Sequence, residues 1–69
     1  MKFKIIYREY HYTGTDQLRE NIAVAEARSF EIESGFVGIF TEHNETQIPD
    51  MAINANDVLM IEPIKEEGK

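Results

Sequence analysis

A small, mainly β domain is the fold class this chain predicts: an antiparallel sheet curled into a roll or partial barrel, with room for one short helix within residues 15–28. Three observations lead there. Aromatic and β-branched residues fall in short runs with apolar alternation. Turn residues separate those runs at close spacing. The chain has 69 residues and no cysteine, so one small domain must hold itself together without disulfides or thiolate-bound metal. Such a chain buries only about 60% of the surface its unfolded form exposes, and its core contributes little net stability.

Residues 2–12 alternate, with Phe3, Ile5 and Tyr7 on one face and Ile6, Tyr10 and Tyr12 on the other. That pattern is a strand. Thr13-Gly14-Thr15-Asp16 has turn composition. Residues 17–28 read two ways. Their helix formers place Leu18, Ile22 and Ala25 on one helical stripe, yet Ile22 and Val24 alternate with Ala23 and Ala25. A strand over about 19–27 is favoured, because residues 2–12 need a partner and Gly14 offers an antiparallel return.

Residues 29–41 carry the clearest local signal. Ser34-Gly35 suits a two-residue hairpin turn. The register that follows sets Glu33 opposite Phe36, Ile32 opposite Val37, Glu31 opposite Gly38 and Phe30 opposite Ile39. One face then carries Phe30, Ile32, Val37 and Ile39, and the other Glu31, Glu33, Phe36, Gly38 and Phe40. A one-residue slip would destroy this sorting. Glu42-His43-Asn44-Glu45 makes the next turn and brings Ile48 opposite Ile39, before Pro49 breaks the ladder. Asn54-Ala55-Asn56-Asp57 is a further turn, and Val58 to Ile61 reads as a buried final strand. The globular domain is expected to span residues 1–64, with residues 65–69 as a solvated tail.

Charge is distributed unevenly along this framework. Between Arg28 and Lys65 lie 36 residues without a lysine or arginine, and they hold Glu31, Glu33, Glu42, Glu45, Asp50, Asp57 and Glu62. The net charge of −6 is thus −7 in that stretch and +1 elsewhere, where seven cations meet six acids. Crowded acids repel one another and oppose folding, which invites a functional reason for them. On a strand, residues i and i+2 share a face about 6.5–7 Å apart, so Glu31 and Glu33 form a short row of negative charge. That row either solvates a bland sheet face or presents carboxylates to a basic surface. Phe36 and Phe40 lie on the same predicted face. They either fill a second small core or anchor an interface, as aromatic residues often do.

Other functions find less support. His11 and His43 have no metal-ligand spacing, and Asp50, Asn54, Asn56, Asp57 and Glu62 lack the spacing and glycine of an EF-hand loop. No cofactor or metal is expected. No nucleophile motif or phosphate loop is present, so no catalytic residue is assigned and an enzyme is not expected. Lys2, Phe3, Lys4, Tyr7, Arg8, Tyr10 and Tyr12 interleave cations with aromatics, as single-strand binders do, but the net charge opposes phosphate approach and direct nucleic-acid binding is not expected. No run approaches the roughly 20 apolar residues of a membrane helix, and MKFKIIYREY lacks the uninterrupted apolar core of a signal peptide. A cytoplasmic location is expected, which makes the acceptor pattern Asn44-Glu45-Thr46 idle.

Small size, one acidic domain, no cysteine and no enzyme motif together resemble the early host-takeover proteins of lytic phages. The acidic members of that group are DNA mimics, with inhibitors of HU-type nucleoid proteins the nearest in type. The resemblance implies a basic DNA-binding protein of the host as partner, in the host cytoplasm. It also implies competitive occupancy of that partner's DNA site by Glu31, Glu33, Glu42, Glu45, Asp50, Asp57 and Glu62, with Phe36 and Phe40 beside them. A structural or adaptor domain whose acidity serves solubility is the alternative. A homodimer is compatible with either.

Overall fold

In the computed structural model, which describes residues 2–14 and 16–65, the strands are β1 (Lys2–Tyr12), β2 (Leu18–Ala27), β3 (Ser29–Glu33), β4 (Phe36–Phe40), β5 (Met51–Asn54) and β6 (Val58–Ile64). They form two three-stranded antiparallel sheets, one ordered β2-β1-β6 and the other β3-β4-β5. The mainly β class follows. The two sheets stay separate and do not close into a barrel.

β1 is central because large side chains line both of its faces. Residues 18–27 are strand, not helix. Each pairs with β1, from Phe3 opposite Ala27 to Tyr12 opposite Leu18. Ladder bonds to β1 outweigh the local helix propensity of QLRENIAVAEAR, as tertiary context commonly does. β6 pairs only with Lys2–Tyr7, and a bulge leaves Leu59 without an opposite residue between the pairs Ile6–Met60 and Tyr7–Val58. Pro63 cannot donate a ladder bond, which an edge strand such as β6 tolerates.

The β3–β4 hairpin has the expected register, pair for pair, from Phe30 opposite Ile39 to Glu33 opposite Phe36. Ser34 and Gly35 both take positive φ, 54° and 81°, as a type I′ turn requires. The following connection differs from expectation. Met51, not Ile48, faces Ile39, and Ile48 is left 74% exposed. The turn expected at Glu42–Glu45 is present at Glu42–His43, where the Asn44 N–H donates to the Thr41 carbonyl at 3.2 Å, but it opens a longer connection over residues 41–50. Its own side chains hold it: Asn44 accepts at Oδ1 from the Thr46 N–H at 2.7 Å, and the Asn44 amide donates to the Ile48 carbonyl at 2.8 Å. The turn at residues 54–57 contains a single 3-10 turn, Ala55–Asp57, with Asn54 Oδ1 accepting from the Asn56 N–H.

The core lies between the inner faces of the sheets. Ile5, Tyr7 and Ala27 of the first meet Val37, Ile39 and Ile53 of the second, with Ala23, Ala25, Phe30, Val58 and Ile61 packed around them. Phe3 and Phe30 close one side edge to face, with centroids 5.1 Å apart. The expectation of a fully buried final strand fails at its centre. Leu59 and Met60 are each 49% exposed, since one is the bulge and the other points outward from an edge strand. Lys65 is exposed, and the rest of the expected tail lies outside the described residues.

Candidate functional site

The outer face of β3-β4-β5 gathers part of the acidic set. Strand alternation puts Glu31 and Glu33 on that face, with Glu31 opposite Gly38 and Glu33 opposite Phe36. Both carboxylates and Phe36 are exposed. They border a shallow groove of about 300 Å³, with Gln47 and Pro49 of the 41–50 connection as its other wall. Gly38 sits at its floor because nothing larger fits. A Cβ there would come within 2.9 Å of the Pro49 ring. The neighbouring hollow, about 360 Å³, shares Glu31 and Gln47 and ends at Arg28. Among the described residues neither Glu31 nor Glu33 has an ion-pair partner.

Phe40, expected on the same face, is covered instead. It is 8% exposed, with the Arg28 guanidinium 5.9 Å from its ring centroid. Arg28 is fixed in turn by donating to the Asn44 carbonyl at 2.7 Å. The 41–50 connection and Arg28 together cover this end of the sheet.

The remaining acids are dispersed, and most have local duties. Glu42 pairs with Lys2 at 3.4 Å and Glu62 with Lys4 at 2.9 Å. Asp57 lies 3.6 Å from Arg8 and accepts from the Tyr10 hydroxyl at 3.1 Å. These three belong to the first sheet and its margin, not to the face of Glu31 and Glu33. Glu45 is exposed in the 41–50 connection. The cations Lys2, Lys4 and Arg8 are the residues that sequence reasoning left out of the acidic stretch. Their separations along β1, two and four residues, were a legible signal, because steps of a multiple of two put all three on one strand face.

Asp50 does structural work. One carboxylate oxygen accepts from the Thr41 N–H at 2.7 Å and from the Asn44 amide at 3.0 Å, closing the 41–50 connection. The Thr41 N–H, then the Asn44 amide, hold its carboxyl below the ordinary value. A lowered folded-state value means stabilisation that is present above the ordinary carboxylate value and lost as pH falls through the folded one. Thermal unfolding followed against pH should therefore show wild type losing stability below about pH 4. Asp50→Asn should begin less stable at neutral pH and lose less on acidification. Parallel curves for the two proteins would remove Asp50 from this role.

Among the described residues, no group of three or more His, Asp or Glu side chains is placed to hold a metal ion, and no helix is long and apolar enough to cross a membrane. Fold and site together define a small mainly-β domain with an acidic, aromatic-edged groove on one sheet. No protein-family model matches the chain, and no curated protein or solved structure matches it significantly.

Proposed function

We propose that this chain is a non-enzymatic binding protein that docks a basic DNA-binding protein and excludes DNA from it. The observation that carries the reading is the pair Glu31 and Glu33, side by side on one sheet face beside exposed Phe36, with no cation paired to either among the described residues. Two carboxylates at strand spacing stand in for successive phosphates, and lysines or arginines of the partner pair with them. Phe36 supplies the apolar anchor that charge alone lacks. A host nucleoid protein of the HU type, met by a phage-encoded inhibitor, is the partner this chemistry fits first.

The second reading, an adaptor domain whose acidity serves solubility, draws on the local neutralisation of Glu42, Asp57 and Glu62. Affinity capture from a bacterial lysate separates the two. The binding reading expects basic DNA-binding proteins to be retained at low ionic strength and released by moderate salt and by added duplex DNA. Retained proteins that neither salt nor DNA releases, or no specific retention, would favour the adaptor.

A further inference from the structure

Among the described residues, nothing forms a layer over the outer face of the β2-β1-β6 sheet. Inward residues of β2 are Ala23, Ala25 and Ala27, which pack on the core. The alternate positions point away from it, and three of them are apolar: Leu18, Ile22 and Val24, exposed by 55%, 58% and 59%. Tyr10 and Tyr12 on β1 and Met60 on β6 continue the same face. Scattered exposed apolar residues are ordinary, but a contiguous patch of this kind marks an interaction surface.

We propose that this face is the contact surface for a second copy of the chain, which packs on it about a two-fold axis as sheet against sheet. Three features select that occupant. Six apolar side chains, each 44–77% exposed, supply the apolar centre that a standard stable interface, burying roughly 800 Å² per partner, requires. The face also carries both signs, with Lys4 paired to Glu62 and lying across from Glu26, Arg8 beside Asp57, and Glu20 across from Tyr10. A second copy brings cations as well as carboxylates to this face, whereas two Glu31–Glu33 faces would bring carboxylates alone.

The third feature is shape. Beyond Tyr7, β1 is paired to β2 alone, so the distal hairpin is a two-stranded ribbon. Isolated ribbons of that kind are marginally stable in water. The ribbon makes the molecule long, 49 Å by 27 Å by 20 Å, with a radius of gyration of 13.8 Å. A compact chain of this length would have about 11 Å. Packing two such ribbons face to face gives each the layer it lacks, in the manner of a sandwich.

Sedimentation equilibrium on the full 69-residue chain, from low to high micromolar concentration, tests the proposal. The expected result is a species of twice the 8.0 kDa chain mass. Ile22→Lys places a charge at the centre of the face and should weaken dimerisation by at least about 30-fold. Val24→Thr keeps shape and β-branching, so its fold is secure, and it should weaken the dimer to a smaller extent. Ile32→Lys, on the other sheet and 66% exposed, should dimerise as wild type does. A wild-type monomer throughout would overturn the proposal and leave the face to a different protein. Unchanged dimerisation in folded Ile22→Lys and Val24→Thr, or its loss in folded Ile32→Lys, would place the contact elsewhere.

Discussion

Ile39→Ala is expected to leave the protein largely unfolded at room temperature. Ile39 is fully buried at the middle of β4, between Phe30 of β3 and Met51 of β5, and belongs to the cluster that joins the two sheets. Truncating such a side chain removes its transfer energy and leaves a cavity, at a cost of about 2–5 kcal/mol. A domain of this size has little stability beyond that. Ile32→Ala is the informative contrast. The sequence pattern puts Ile32 and Ile39 on one apolar face, yet Ile32 is 66% exposed, and surface changes of this kind stay within about 0.5 kcal/mol. Urea unfolding followed by circular dichroism compares them. Similar losses for the two variants would mean that the second sheet is not packed on the first in this way.

That contrast marks where local pattern ends and packing begins. The β3–β4 register was legible because alternation and the Ser34-Gly35 turn demanded the same answer. The strand character of residues 18–27 was legible only through the need of β1 for a partner, since local propensity leaned towards helix. The β4–β5 connection was misread because nothing local to Ile48 announces that Asp50 will close back on Thr41, nine residues earlier. Once it does, Met51 takes the place opposite Ile39. Likewise, Leu59 gives no local sign of a bulge that depends on its pairing with β1.

The same limit applied to the site. The sequence shows seven acids without an intervening cation, which suggests one continuous acidic surface. Lys2, Lys4 and Arg8 are remote in the chain, yet Lys4 lies against Glu62 and Arg8 against Asp57 because β6 and the turn before it run beside β1, and Lys2 meets Glu42 of the 41–50 connection. Asp50 is occupied by the backbone of Thr41. What remains of the expected row is Glu45, apart in the 41–50 connection, and the local part, Glu31 and Glu33, for which strand alternation alone was sufficient. Phe36 stayed with them at the surface and Phe40 did not, because the 41–50 connection covers only one end of that face.

The division of the carboxylates into two groups is the central claim, and paired double substitutions test it. Glu31→Gln with Glu33→Gln keeps volume and register while removing two charges that face no cation among the described residues. Stability should be unchanged or slightly higher, because self-repulsion falls. Affinity for a captured basic partner should weaken by about 1–3 kcal/mol, as for truncated interfacial ion pairs. Glu42→Gln with Glu62→Gln removes the same formal charge but breaks the exposed pairs to Lys2 and Lys4. That variant should lose about 0.2–1 kcal/mol of stability per pair and bind nearly as wild type. Titration calorimetry of both variants against one partner, with urea unfolding alongside, gives the decisive comparison. Weaker binding confined to the Glu31–Glu33 variant is the result expected here. Equal losses of binding in both variants would mean that net charge alone governs the interaction, and would contradict the assignment of the outer β3-β4-β5 face.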